Sequence, residues 1–542
     1  MFSTLWIGLF VIIISSYGFS VIYGRKRRLP PLPPGPWRKP IIGNLTDLPR
    51  PDEQDWQHWL KHKDSFGPIS SLAVLGKNII ILNDAQLAVQ LLEKRSAIHS
   101  LRPQQTFTDM SGWDEILGAL RKPEDVRKTR RNLYQEIGSN KSILSFNDIQ
   151  QAEVAHLLLK VLEAPEKLQQ HIRKRVEIFP QIPREAGAII LKIGYGYTIE
   201  PHGNDPLVDL ADKAMEDFSY ALLPATWAVD FFPMLKHLPT WLPGTGFIKT
   251  AQAYNRRVKA FSGIPFAFVR QQMQSGCFTQ SFLSNLLASN PVEPGSEDEN
   301  IVKWSAGSLY AGGADTNKST VSSIASFFLA MALFPEVQLK AQSELDTVVG
   351  RTKLPGFEDR ENLPYINALV KEVLRWHPVV PMNVAHASSQ DDICEGYLIP
   401  KGSSILANIW AFTHDENVYH DPMAFKPERF LVTPEHPHPE RDPHLLAFGF
   451  GRRACPGRTL ADSNVFLSVV QSLAVFNIGK PVRNGEVQDV PLKFLPGVIS
   501  HPAPFELAIH PRSEKHRELI QALEKQYPWG KSDAEALGSV VF

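Results

Sequence analysis

Ten consecutive residues near the C-terminus, Phe448-Gly449-Phe450-Gly451-Arg452-Arg453-Ala454-Cys455-Pro456-Gly457, set one thiol in a loop of glycines and arginines. A run with helical spacing follows, through Leu460, Phe466, Val470 and Leu473. Pro456 suits the first turn of that helix, where its missing N–H costs nothing. Cys455 would then stand at the helix's positive end, where orphan N–H groups and the adjacent arginines favour thiolate over thiol. Gly449, Gly451 and Gly457 remove side chains where the backbone must bend or approach a flat ligand. A thiolate held in this way suits an axial bond to haem iron. Two blander readings compete. A structural buried cysteine accounts well for Cys277 and Cys394 but not for so specific a surrounding pattern. The spacing Gly449-x-Gly451-x-x-Ala454 loosely fits a dinucleotide fingerprint, yet it has no βαβ context and no acid about twenty residues on.

Three further groups have suggestive spacing. Within the apolar-periodic stretch Ile301–Phe334 lies Ala311-Gly312-Gly313-Ala314-Asp315-Thr316. Each glycine inside a helix costs roughly 1 kcal/mol relative to alanine, so two together imply a close approach, by another helix or by a cofactor. Glu372 and Arg375 are three apart in another helical run and can pair, as surface pairs often do for little gain. His58 and His62 share a helix face, but no third ligand completes a metal site, and a solvated surface is the expected place for both.

The elements that must position these groups are mostly helical. Apolar residues recur at three- and four-residue spacing over Ile149–Leu162, Val208–Leu223, Ile301–Phe334 and Leu363–Trp376. Strand-like runs Ile69–Leu75 and Asn78–Leu82 flank a hairpin signal at Gly76-Lys77, and a second patch runs Ile393–Ala407 with turns at Glu395-Gly396 and Lys401-Gly402. Asn290–Asn300 and Pro434–His444 read as surface loops. With 542 residues, no repeat and no interdomain linker after Pro40, the expectation is one large, mainly α body with small β-sheets over residues 41–542. Lys+Arg and Asp+Glu are both 57, which excludes a general nucleic-acid binder. The three cysteines never form C-x-x-C, which excludes a disulfide scaffold, a zinc ribbon and a four-thiolate cluster. A hydrolase has neither its G-x-S-x-G elbow nor H-E-x-x-H.

Residues 1–24 contain no charged side chain, and Leu5–Gly24 would rise roughly 30 Å as a helix, the thickness of a bilayer core. Arg25, Lys26, Arg27 and Arg28 follow, and no acid appears before Asp47. Charge after the run rather than before it reads as a transmembrane signal anchor, not a cleaved signal peptide, and places the body on the cytoplasmic side. The stretch 25–40 is basic and then proline-rich, with six prolines in Leu29–Pro40, and reads as a stiff polyproline spacer. The triplets at Asn44, Asn140 and Asn317 would then escape glycosylation.

The loop Phe448–Gly457 resembles the F-x-x-G-x-R-x-C-x-G ligand loop of the cytochrome P-450 family at every fixed position, and the likeness covers essentially the whole chain after residue 40. It is closest in character to fungal, membrane-bound oxidases of secondary metabolites. The resemblance implies that Cys455 is the axial ligand of haem b (iron protoporphyrin IX), that Arg453 binds a propionate, and that Phe448 packs beneath the loop. It implies that Gly312 and Gly313 admit the cofactor and O2, that Thr316 hydrogen-bonds the oxygen being activated, and that Asp315 supplies protons. Arg127 and Arg130 resemble the family's W-R-x-x-R element, with Val126 in place of the tryptophan, and His386 matches another propionate-binding position. Glu372, Arg375 and Arg429, the last in Pro427-Glu428-Arg429-Phe430, would form a buried structural cluster. Val379, Val380, Met382, Val498 and Ile499 would line an apolar cavity, with the aromatic stretch Phe218–Phe247 as its roof. The implied activity is insertion of oxygen from O2 into an apolar small molecule, terpenoid or polyketide-like. Electrons would come from NADPH through a separate cytochrome P-450 reductase, at the endoplasmic reticulum membrane. The alternative is a haem-thiolate isomerase or dehydratase that needs neither O2 nor reductase.

Overall fold

In the computed structural model the described residues are 30–542 apart from 51, 169–184, 202, 223–225, 290, 435–436 and 541, with the side chains of 167, 185–187 and 313–319 also left aside. The apolar run 1–24 and the basic cluster Arg25–Arg28 lie outside the described residues. Among the described residues no single helix is long and apolar enough to cross a membrane.

The chain opens with α1 (Asp55–Phe66) and the hairpin β1 (Ile69–Val74) and β2 (Lys77–Leu82). Helices α2 (Pro123–Ile137), α3 (Asn147–Glu163), α4 (Glu185–Tyr195), α5 (Pro206–Ala221) and α6 (Gly246–Gln274) follow. The 37-residue α7 (Glu297–Leu333) comes next, then α8 (Pro364–Trp376), β3 (His386–Ala387), β4 (Ser404–Ala407) and α9 (Arg458–Val475). The chain closes with β5 (Phe494–Leu495), β6 (His501–Pro502) and α10 (Glu514–Gln526).

One sheet has the order β1-β2-β4-β3, with β2 and β4 parallel and the other pairs antiparallel. Its hairpin turn is Leu75-Gly76, not Gly76-Lys77: both residues have positive φ (47° and 84°), as a type I′ turn requires, and Lys77 already belongs to β2. A separate hairpin pairs Asp392–Cys394 with Tyr397–Ile399 around Glu395 (φ 50°) and Gly396 (φ 77°). The proline-rich stretch is not a free spacer over residues 31–34. Ser71 donates its N–H to the Pro34 carbonyl (2.8 Å) and its hydroxyl to that of Pro33, and Leu398 N–H bonds the Pro31 carbonyl (2.8 Å).

α7 crosses the molecule and packs on α2, α4, α6 and α9. It begins earlier than the apolar period does, because the Ser296 hydroxyl caps the Glu299 N–H (3.1 Å) and three acids fill its first turn. Two large apolar clusters flank it. One gathers α3, α8 and α9 around Phe327, Phe328 and Leu369, and the other gathers α4, α5 and α6 around Trp113, Tyr195 and Phe261. Residues after β6 lie across both. α10 packs on α3, Trp529 stacks on His156 (3.7 Å, 15°), Asp533 caps Thr198 N–H (2.7 Å), and Ala536 and Leu537 pack against the second cluster.

Candidate active site

The loop that carries Cys455 runs from a short helix, His444–Ala447, to α9, with a 3-10 turn at Gly451–Arg453. Cys455 N–H donates to the Phe448 carbonyl at 2.7 Å, closing the loop on itself. Gly449 (φ 75°) and Gly451 (φ 52°) occupy the left-handed region, and a Cβ on Gly451 would stand 2.4 Å from the Leu92 carbonyl oxygen. Only glycine lets the loop press this closely on the chain behind it. α9 starts at Arg458 with Gly457 as its cap, so Pro456 precedes the helix and does not fill its first turn.

Cys455 is half-buried. Burial is the strongest influence on its thiol and pushes the pKa up, against the Gly457 N–H and the charges of Arg130 and Arg458, which pull it down. The donors and cations expected to favour thiolate are present, but desolvation outweighs them. Direct coordination to a metal would reverse that balance, because a ligating thiol is deprotonated outright.

Four cationic or titratable groups gather beside the loop. Arg453 donates to three backbone carbonyls, those of Ser100 (2.7 Å), Leu117 (3.2 Å) and Leu120 (2.7 Å). Burial and the nearby Arg130 push it down to about 10. Arg130, on α2, is lowered by burial and lies close enough to Cys455 to feel its charge. Arg102, which nothing in the sequence singled out, donates to the carbonyls of Val384 (2.9 Å) and Ala385 (2.8 Å). It is pushed down to about 9 by burial and by repulsion from Arg453 and Arg130, and its Nε is buried without a partner. His386, buried on β3, has Nδ1 2.7 Å from the His99 carbonyl, and burial with Arg102 and Arg453 drives it down to about 3. Arg102 reaches this group because Leu101 forms a bridge to Ala387, a contact between segments nearly 290 positions apart.

No carboxylate stands among the influences on Arg102, Arg130 and Arg453. Buried cations that repel one another, one with an orphaned N–H, fit a ligand bearing carboxylates. A carboxylate there would also raise His386 back toward its charged form. In α7, a Cβ added to Gly312 would meet no atom within 4 Å, although α7 is a core helix. Thiol, cationic cradle and bare helix surface together match a haem's iron, propionates and flat face.

The remaining sequence-derived residues divide. Gly313, Asp315 and Thr316 belong to α7, and their side chains lie outside the described residues. Arg127 is exposed and takes no part in the cationic group, while Val126 is buried in the tryptophan's place. Phe448 is half-buried and stacks on His444 (5.7 Å, 22°). Met382 is buried in a small cluster with Trp56, Trp59, Leu72 and Ile81. Val379, Val380 and Ile499 are half-buried and Val498 is 37% exposed. Of the aromatic stretch, Phe218 packs on Trp113 (4.8 Å) and Trp227 lies flat on Phe107 (3.6 Å), whereas Phe232 and Trp241 are exposed. His62 is buried and bonded to Ser70 (3.0 Å), not solvated; His58 is half-buried beside Glu53 (3.1 Å).

Glu372, Arg375 and Arg429 meet. Arg375 grips Glu372 with Nε (2.7 Å) and Nη2 (2.8 Å) and turns Nη1 to the carbonyls of Thr413 and Pro422. Arg429 joins Glu372 through Nε (3.1 Å) and reaches Glu440 (2.5 Å), a second acid that balances the charge count.

A model of the cytochrome P450 family matches residues 33–509. The chain is 50% identical over 510 residues to cytochrome P450 monooxygenase ppsD of Aspergillus oryzae, covering 94% of each. It is 45% identical to the O-methylsterigmatocystin oxidoreductase of Aspergillus flavus, over 94% of this chain and 93% of that one. Cytochrome P450 monooxygenase claR of Ampulloclitocybe clavipes is 44% identical, over 93% and 91%. With a thiol loop, a cationic cradle and these relatives in agreement, the chain belongs to the cytochrome P450 family and is a monooxygenase that uses haem.

Proposed function

We propose that the protein is an NADPH-dependent monooxygenase, supplied with electrons by a separate cytochrome P-450 reductase, that oxidises an apolar small molecule of fungal secondary metabolism. The observation that carries this reading is Cys455 beside the carboxylate-free cluster of Arg102, Arg130, Arg453 and His386. Haem b, when bound, supplies dioxygen activation, and thiolate ligation favours O–O cleavage. Cys455 would hold the iron, the cationic cluster would hold the propionates, and Gly312 would leave room on α7 for the ring. Asp315 and Thr316 would manage protons. Val379, Val380, Val498 and Ile499 offer the substrate only apolar surface, which selects by shape. The relatives' names support secondary metabolism, and one is named for oxidising O-methylsterigmatocystin. Terpenoid and polyketide-like skeletons are the classes proposed.

The same reading places the body on the cytoplasmic face of the endoplasmic reticulum membrane, held by a single span over residues 1–24. Trp37, Ile41, Phe232, Met234 and Trp241 support it, all at least half exposed. The β1–β2 hairpin links their two segments: Gly43 pairs with Val74, and Lys77 Nζ bonds the Asp230 carbonyl (2.6 Å). Apolar side chains gathered near one sheet edge suit contact with lipid.

Expression of the full chain with a reductase under labelled O2 is the test. A metabolite that gains one labelled oxygen only when NADPH is present is the expected outcome. Turnover without O2 or reductase would replace this reading with the isomerase alternative. Cys455→Ser is expected to abolish the thiolate-type carbonyl spectrum of the reduced protein, and an unchanged spectrum would remove Cys455 as ligand.

A further inference from the structure

A buried imidazole ties together three segments: α7, the loop after α8 and the turn between β5 and β6. His377 follows α8. Its Nδ1 lies 2.8 Å from the Ser326 hydroxyl on α7, and its Nε2 lies 3.0 Å from the Ser500 hydroxyl. Phe494 stacks flat on the ring at 3.9 Å and 12°. Ser500 closes the turn between β5 and β6 and is itself heavily bonded. Its N–H donates to the Val379 carbonyl (2.8 Å), its carbonyl accepts from the Ser322 hydroxyl (2.7 Å), and its own hydroxyl reaches the Leu495 carbonyl (2.9 Å). Ser322, Ser326, His377 and Ser500 are all buried.

Each tied segment carries residues that the proposed function gives to the haem face or the apolar lining. α7 bears Gly312, about three turns before Ser322. Val379 and Val380 sit two and three residues after His377, and the same loop continues to Asn383, whose Oδ1 lies 3.5 Å from the place a Cβ on Gly449 would take. Val498 and Ile499 immediately precede Ser500. Apolar walls have no directional bonds of their own, so their separation is set by the polar groups behind them. We infer that His377 is a positioning residue that sets the gap between the turn carrying Val498 and Ile499 and the α7 face, and thereby the size selectivity of the pocket. This rests on the haem-and-cavity reading above.

The ring's two nitrogens can be separated by substitution. His377→Gln keeps a polar group near the Nε2 position and the link to Ser500, whereas His377→Asn keeps the Ser326 link and lets Ser500 go. Spectral titration of the ferric holoenzyme with imidazole and with 4-phenylimidazole reads the gap, because both bind iron and only the second needs the walls. In His377→Asn and Ser500→Ala, imidazole affinity is expected to stay within about twofold, and phenylimidazole affinity to change by roughly tenfold, the scale of a misfitted apolar group. His377→Gln, which keeps the Ser500 link but gives up Ser326 on α7, is expected to change the ratio as well. An unchanged ratio in Ser500→Ala, or a parallel change for both ligands, would overturn the inference. A wild-type chain that takes up no haem would instead overturn the functional reading on which it rests.

Discussion

Arg102 is a charge in want of a partner, and that sets its behaviour with and without a ligand. Its Nε is buried and unbonded, and Arg453 and Arg130 repel it. Arg102→Met therefore removes repulsion from the haem-free protein and removes a propionate donor from the loaded one. The haem-free variant is expected to melt no lower than wild type, while haem retention, measured by transfer to an excess of haem scavenger, falls about tenfold or more, as for one charge-assisted hydrogen bond. Arg127→Met, on the exposed face of α2, serves as the control and is expected to change neither. The difference between these arginines also marks how far the chain could be read. Cys455, Arg453 and Arg130 were legible because the thiol, its glycines and the basic run lie in short contiguous patterns. Arg102 sits in Ser100-Leu101-Arg102-Pro103, which has no period and no motif, and it is brought in by a bridge from β3. Met382 has a second aspect that its neighbours Val379 and Val380 do not signal, its packing against Leu72 and Ile81 of the β1–β2 hairpin.

His444 joins elements that are distant in the chain. Its ring bonds Asp442 (2.8 Å) and Asp462 on α9 (2.9 Å), and these acids pair with Lys371 on α8 (2.8 Å) and with Arg360 (2.8 Å). Hydrogen bonds and charge from the two acids outweigh burial and raise His444 from 6.5 to about 9. Both acids are held below the ordinary carboxylate range despite burial. A raised histidine stabilises fully below its unfolded value and loses that contribution as pH climbs through the folded one. The acids add the mirror limit, so the network is complete from about pH 4 to 6.5. His444→Gln is expected to cost about 2–3 kcal/mol in that window, shrinking toward pH 9, read from unfolding midpoints across pH. The ligand loop gives a sharper contrast. Gly451→Ala would drive a Cβ into the Leu92 carbonyl at positive φ, whereas Gly457→Ala meets only Ile137 at 3.8 Å. The first is expected to lose haem and at least about 1–3 kcal/mol of stability, and the second to leave the stability of the haem-free protein unchanged. Helices were the legible elements, since α3, α5, α7 and α8 repeat their apolar residues at helical spacing. Their ends were not, because single residues outside the apolar period set them, as the Ser296 hydroxyl does by capping α7. The β1–β2 turn slipped by one residue for the same reason: Leu75 gives no hint of a positive φ.

At the scale of the molecule, Glu372 is the most consequential acid. It is fully buried between Arg375 and Arg429, and Lys426 N–H donates to it as well (2.8 Å). Glu372→Gln leaves two guanidiniums facing one remaining acid in a dry volume, with an expected loss of about 3–5 kcal/mol by denaturant unfolding. Glu440 was not foreseen as that remaining acid, since it lies in a proline-rich surface segment far from α8. Long-range closure of this kind is also what the final thirty residues accomplish. Past the span matched by the family, the chain binds α3 through α10 and Trp529, secures Thr198 through Asp533, and ends against α6. Those contacts straddle both apolar clusters, so the tail works as a clasp across them, alongside α7 and the packing of α3 on α4. Trimming the gene to the family's borders would spring that clasp, and a shortened protein made for convenience would report on a looser enzyme than the one the full sequence encodes.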